Sequence, residues 1–192
     1  MTLRKFEFKD TNIPGLKLIK PFYSTDNRGA FVKDFSLPLF EKNGINHQVK
    51  EIFYTYSKKG VIRALHFQRV KQQPKLVRCV SGRVWDVVVD LRKDSPTFLK
   101  HETFELDGET GYEILVPSGC AHGYLVLEDS VVSYKCSENF YSEYDDGIKW
   151  NDEKLKIQWP VEKIGGVEKL ILSEKDINLP SLVRFLSETN GF

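Results

Sequence analysis

The sequence contains no apolar run approaching the roughly 20 residues that a membrane-spanning helix needs, and no block of charge of one sign. Its 28 basic and 27 acidic residues are interleaved, for a formal charge of +1 over 192 residues. That balance gives no reason to expect nucleic acid or an anionic membrane as a partner, although a fold can still assemble a locally basic pocket. The opening residues, MTLRKFEFKDTN, lack the apolar centre of a secretion signal, so a cytoplasmic protein is expected. Only three cysteines are present, Cys79, Cys120 and Cys136, scattered and without a CxxC spacing. That argues against a disulfide framework and a zinc site and predicts buried free thiols. Internal repeats, low-complexity tracts and linkers are also missing, and the length suits one domain over residues 1–192.

What the chain does have is strand signal. KLVRCV, RVWDVVVDL, YEILVP, GYLVL and VVSYKC are short, rich in β-branched and aromatic residues, and bounded by Gly, Pro, Ser or Asp. Two helices are predicted, LPLFEKNG after Ser36 and ending at Gly44, and the C-terminal LPSLVRFLSE. The fold class expected is all-β, a sandwich or barrel with a few short peripheral helices. The polar stretch 137–160 is long for a connection and is a candidate lid.

KLVRCVSGRVWDVVVD reads as a hairpin turning at Ser81-Gly82, which pairs Val77 with Asp86 and Lys75 with Val88. Lys75, Val77, Cys79, Val84, Asp86 and Val88 then share a face, with Lys75 and Asp86 as diagonal neighbours. Two readings stay open: that this face looks inward, or that Trp85, Val87 and Val89 face the core instead.

The segment GYEILVPSGCAHGYLV sets Gly111, five residues, Pro117, one residue, Gly119, two residues, His122. This spacing resembles the second motif of the cupin superfamily, a double-sheet jelly roll. The matching first motif would bring two histidines and a carboxylate for a metal, but RVWDVVVDLRKDS holds no histidine. A facial set of His66, His122 and Asp86 is the remaining metal reading. Otherwise His66, alone in GVIRALHFQ, is a core residue or a proton carrier.

Taken together, DNRGAF (26–31), GVIRALHFQ (60–68), PKLVRCVSGRVWDVVVDLRKDSPTF (74–98), ILVPSGCAHGYLVL (114–127), YKC (134–136), GIKWND (147–152), WP (159–160) and ILSEKD (171–176) resemble, in order, the nucleotide-sugar 3,5-epimerases of the dTDP-4-dehydrorhamnose type. The resemblance implies a metal-free cupin isomerase, with no cofactor, acting on a nucleotide-diphosphate-linked 4-keto-6-deoxy sugar in deoxysugar biosynthesis. By this resemblance His66 is the base. Asp176 orients it, Lys75 stabilises the enolate at the C4 oxygen, and Tyr134 is the acid on the opposite face of the sugar. Arg28 and Arg63 match arginines that hold pyrophosphate, Gln48 is matched to the base or ribose, and Asp86 and His122 are matched to the pocket wall. The resemblance also implies a homodimer in which an N-terminal strand and Arg28 complete the partner's site.

Three departures fall on the binding side: Ala64 stands where the family has glycine, Ala30, Val32 and Lys33 replace an aromatic-rich run ending in Glu, and KEIFYTYSKKG lacks polar residues frequent in thymidine-specific members. The Ala64 methyl is expected to narrow the pocket. These departures leave open a CDP- or GDP-linked substrate, a C3-only epimerase, or a 3,4-ketoisomerase.

Overall fold

The computed structural model describes residues 3–192. Its strands are β1 (Leu3–Arg4), β2 (Glu7–Asp10), β3 (Lys17–Lys20), β4 (Phe22–Asp26), β5 (Gly29–Lys33), β6 (Glu51–Ser57), β7 (Ile62–Gln68), β8 (Lys75–Asp90), β9 (His101–Asp107), β10 (Glu113–Val116), β11 (Cys120–Cys136) and β12 (Asp145–Gly147). Three helices join them, α1 (Leu37–Lys42), α2 (Glu174–Ile177) and α3 (Leu182–Thr189).

The two longest strands organise the molecule. β8 and β11 pair antiparallel from Lys75 opposite Cys136 to Asp90 opposite Cys120. The second half of β8 takes β9 on its free edge, and the first half of β11 takes β7, which in turn takes β12. The first half of β8 takes β10 and then β3 and β2, while the second half of β11 takes β6. Each long strand therefore belongs to two layers, and the result is an all-β double-sheet scaffold of the cupin type.

This overturns the hairpin expected at Ser81-Gly82: β8 does not reverse but runs on through a corner. Gly82 has φ +77°, and a Cβ there would lie 2.1 Å from the Asp129 carbonyl oxygen, so only glycine fits where the corner of β8 abuts that of β11. The β8–β11 register shifts near this corner, between Val126 and Val132, and such irregularities reset the alternation of side chains. Val77, Cys79, Val84 and Val88 consequently do share one face, in the core between the layers. Asp86 is on that face too, wholly buried. Lys75 and Asp86 are nonetheless not neighbours across a turn, since Asp86 lies opposite Tyr124 and Lys75 opposite Cys136. Both faces of β8 are covered, because Val87 and Val89 pack in a second cluster with Phe185 of α3 and Trp159.

Ser36 precedes α1 and Gly44 follows it at φ +73°, and the Ser181 side chain accepts from Arg184 N to start α3. All three cysteines are unpaired and buried. Among the described residues no helix is long and apolar enough to cross a membrane.

Candidate active site

A cavity of about 310 Å³ opens between the layers, lined by residues of β6, β7, β8, β11, β12 and the α2 turn. His66 enters from β7 and is opposed in register by His122 of β11 on one side and Gly147 of β12 on the other. Gly147 lets β12 approach, since a Cβ there would be 2.2 Å from the Leu65 carbonyl oxygen.

The His66 Nε2 is 2.7 Å from Asp176 Oδ1. With the ring proton on the nitrogen that faces the carboxylate, Nδ1 of the neutral ring keeps its lone pair. Asp176 is set by a local device: Ser173, preceding α2, accepts from Asp176 N at 3.1 Å and donates its hydroxyl to Asp176 Oδ2. Burial would raise the Asp176 pKa, but the hydrogen bonds from His66 and Ser173 hold it below the usual carboxylate value.

Lys75 is partly buried at the start of β8, and among the described residues its ammonium has neither a hydrogen-bond nor an ion-pair partner. Burial is the main influence and lowers its pKa; the Cys136 thiol and Asp145 push it up and Lys175 pushes it down. Tyr134 is 5% exposed, stacked on Phe53 at 4.6 Å between ring centroids and met edge-on by His122 at 6.1 Å. Burial, reinforced by Tyr124 and Asp86, raises its pKa well above the ordinary phenol value, so it is a neutral hydroxyl able to donate. His122 and Asp86 form a buried pair, Nε2 lying 2.9 Å from Oδ2, with the Asp86 pKa raised by burial against the opposing pull of His122. Arg63 donates Nε–H to Ser57 Oγ at 3.2 Å and has no carboxylate partner among the described residues, which leaves its guanidinium edge for an anion.

The structure thus gathers His66, Lys75, His122, Tyr134, Arg63 and Asp176 around one cavity, with Asp86 directly behind His122. It does not bring in two expected residues. Gln48 is exposed and lines no part of the cavity; the segment reaches it instead through Phe53 and Thr55 of β6, which the loose match at Gln48 missed. Arg28 lies at the β4–β5 turn, 86% exposed and bonded to Asp26, in a separate surface hollow. The expected narrowing by Ala64 is also corrected. Ala64 is fully buried and faces Gly123, where a Cβ would come within 2.5 Å of its own, so its methyl fills core rather than cavity. Nor does a metal set of His66, His122 and Asp86 form: among the described residues no three His, Cys, Asp or Glu side chains are placed to share a metal ion. The stretch 137–160 contributes Phe140 and Asp145 to the rim but is stitched down, through β12 on β7 and through Tyr141 N donating to Gln68 Oε1 at 2.6 Å.

An imidazole–carboxylate pair, an unpartnered ammonium and a neutral phenol around one cavity of a cupin-type scaffold define an isomerase built to move protons at carbon. The family model for dTDP-4-dehydrorhamnose 3,5-epimerase matches residues 10–184, and the chain belongs to that family. It is 42% identical to the dTDP-4-dehydrorhamnose 3,5-epimerase of Methanothermobacter thermautotrophicus, covering 92% of this chain and 94% of that one. Among solved structures, the Legionella pneumophila dTDP-6-deoxy-D-glucose-3,5-epimerase in complex with dTDP-4-keto-L-rhamnose superposes with a TM-score of 0.89 at 35% identity, covering 96% of each chain. The Bacillus anthracis dTDP-4-dehydrorhamnose 3,5-epimerase with TDP and pyrophosphate bound gives a TM-score of 0.86 at 38% identity, over 93% of this chain and all of that one.

Proposed function

We propose that residues 1–192 form one catalytic domain that epimerises a nucleotide-linked 4-keto-6-deoxyhexose at C3 and C5, for deoxysugar biosynthesis. The carrying observation is the 2.7 Å His66–Asp176 pair facing the same cavity as Lys75 and Tyr134. The C4 ketone acidifies the C–H bonds on either side of it. His66 Nδ1 takes a proton from C3, and Asp176 supports the imidazolium that forms. The electron pair moves onto the C4 oxygen, where the Lys75 ammonium meets the developing enolate. Tyr134 returns a proton to the opposite face; once His66 has released its proton to water and Tyr134 has regained one, the same steps act at C5. Each step is a proton transfer and calls for neither a metal nor a redox cofactor. Arg63 binds the diphosphate through its free guanidinium edge, and the His122–Asp86 pair shapes the wall. A dTDP-linked substrate is the reading favoured by the ligands of the Legionella and Bacillus relatives. The unpaired buried thiols suit a reducing, cytoplasmic setting.

The functional unit is a homodimer in this reading. Arg28 stands outside its own chain's cavity, exposed at the β4–β5 turn, and Ile52, Tyr54 and Tyr56 expose an apolar stripe on β6. Mixing Arg28→Ala and His66→Ala subunits should restore activity through one intact composite site, and a monomer by sedimentation would end the dimer reading.

Incubation with dTDP-4-keto-6-deoxyglucose in deuterated water, followed by NMR, tests the chemistry. Deuterium at both C3 and C5, lost in His66→Ala, is expected. Incorporation at C3 alone would select a 3-epimerase, and a 3-keto product a ketoisomerase. No incorporation with dTDP-, CDP- or GDP-linked substrates would refute proton transfer at this site.

A further inference from the structure

Residues 137–144 carry Phe140 to the cavity rim but form no strand, so their backbone N–H and C=O groups lack the partners that a sheet supplies. Two buried glutamines supply some of them. Gln68, 3% exposed, follows His66 by two residues on β7 and lines the same cavity. Its Oε1 accepts from Tyr141 N at 2.6 Å, and its Nε2 donates to Lys71 O at 2.8 Å and to Asn139 O at 3.2 Å. A backbone N–H can meet only the amide oxygen and a carbonyl only the amide nitrogen, so these partners fix the orientation of the amide and use both of its donors. Gln73 Nε2 donates to Glu138 O at 2.9 Å, and the Lys71 ammonium sits 4.1 Å from the centre of the Tyr141 ring. The turn after β7 and the rim are thereby joined through a side chain of the strand that carries the base. An apolar side chain at 68 would fill the position without the cost of burying an amide.

The reacting sugar belongs with His66, Lys75 and Tyr134, and Tyr134 is 5% exposed, whereas Phe140 on the rim is 51% exposed. The nucleotide therefore extends from the buried end toward the rim. We propose that Gln68 is a positioning residue for nucleotide binding: its amide clamps residues 139–141 to β7 and so holds the mouth of the cavity in its binding shape. The inference rests on the epimerase reading above. A rim in place only about a tenth of the time lowers the apparent affinity about tenfold, because binding must first restore it, and leaves the proton transfers in the filled site unchanged.

Two measurements on the intact protein test the clamp. By NMR, the Tyr141 amide should exchange with solvent about tenfold faster in Gln68→Met, the scale of its lost hydrogen bond, while amides of β8 and β11 keep their rates. Calorimetric titration with dTDP should show about tenfold weaker binding, and with the keto sugar KM should rise by a similar factor with kcat within about twofold of wild type. Gln68→Glu keeps the shape and the acceptor for Tyr141 but loses both donors; it should weaken dTDP binding in the same direction and serves as the test if Gln68→Met does not fold. An unchanged Tyr141 amide, or wild-type dTDP affinity beside a faster one, would overturn the clamp. So would an equal rise in exchange across β8 and β11, which assigns Gln68 to global stability, or a fall in kcat at constant KM, which assigns it to the chemistry of His66. If the wild-type protein binds dTDP but exchanges neither carbon of the sugar, the epimerase reading has failed, while the dTDP affinities still decide the clamp. Wild-type protein that binds none of dTDP, CDP and GDP would refute nucleotide binding here and the clamp with it.

Discussion

Asp176 Oδ1 and His66 Nε2 meet at 2.7 Å although 110 positions (176 − 66) separate them in the chain. The contact needs β7 to present the imidazole and the Ser173 cap to aim the carboxylate, and it fixes which ring nitrogen can accept a proton. Asp176→Asn keeps the shape but removes the obligatory acceptor, so the ring can adopt the wrong tautomer. The expected loss in the rate of C3 and C5 exchange is about 10²- to 10⁴-fold, with His66→Ala at least as severe. Near-normal exchange in either variant would remove His66 as the base.

Lys75 is expected to set the alkaline limit of activity. Burial lowers its ammonium pKa while Tyr134 stays protonated well above the ordinary phenol value. As pH rises, the enolate therefore loses its cation before the acid loses its proton. Lys75→Arg, always charged, should shift that limb of the kcat profile upward. Lys75→Met should cost about 10²- to 10³-fold in kcat. An alkaline limb that does not move in Lys75→Arg assigns it to another group.

Gly123 has no space for a side chain, since a Cβ would lie 2.5 Å from the Ala64 Cβ and 2.6 Å from the Arg63 carbonyl oxygen. Gly123→Ala should destabilise the protein by about 1–3 kcal/mol, the usual cost of overpacking a core. By pushing β7 outward it should also weaken substrate binding through Arg63. Denaturant titration and KM report the two effects separately. In the Gly123→Ala background, Ala64→Gly should recover part of both, and no recovery would place the strain elsewhere.

Glu113 is fully buried, and both its carboxyl oxygens lack a hydrogen-bond partner among the described residues. Burial raises its pKa well above the ordinary carboxylate value, Lys135 opposes this, Asp34 adds to it and Arg78 opposes it. Asp34 already engages both cations, Lys135 at 2.7 Å and Arg78 at 3.2 Å. A carboxyl whose folded-state pKa is raised binds its proton more tightly in the native state. Its contribution is present in full below the unfolded value of about 4.3 and is lost as pH rises through the folded value. Glu113→Gln should therefore melt higher than wild type at pH 8, with the difference shrinking toward pH 4. A difference independent of pH would show that Glu113 is not titrating.

The sequence by itself determined the strand-rich composition, the existence of α1 and α3, the cupin spacing that delivers His122, and the identities of the chemical groups, because these are written in local patterns of polarity, glycine and ordered motifs. Where local signals are ambiguous it misled. Ser81-Gly82 between two β runs looks the same whether the chain reverses or turns a corner, and the decision came from β11, which pairs with both halves of β8 from thirty or more positions away (120 − 90 = 30 at the nearest pair). The register irregularities at that corner then restored the face that a mistaken hairpin had predicted. Only the tertiary structure decided that Phe53 stacks on Tyr134, that the Ala64 methyl is core, and that Arg28 lies outside its own chain's cavity. Each of these depends on which strands become neighbours, and neighbourhood between layers is set by long-range pairing and packing that no window of sequence contains.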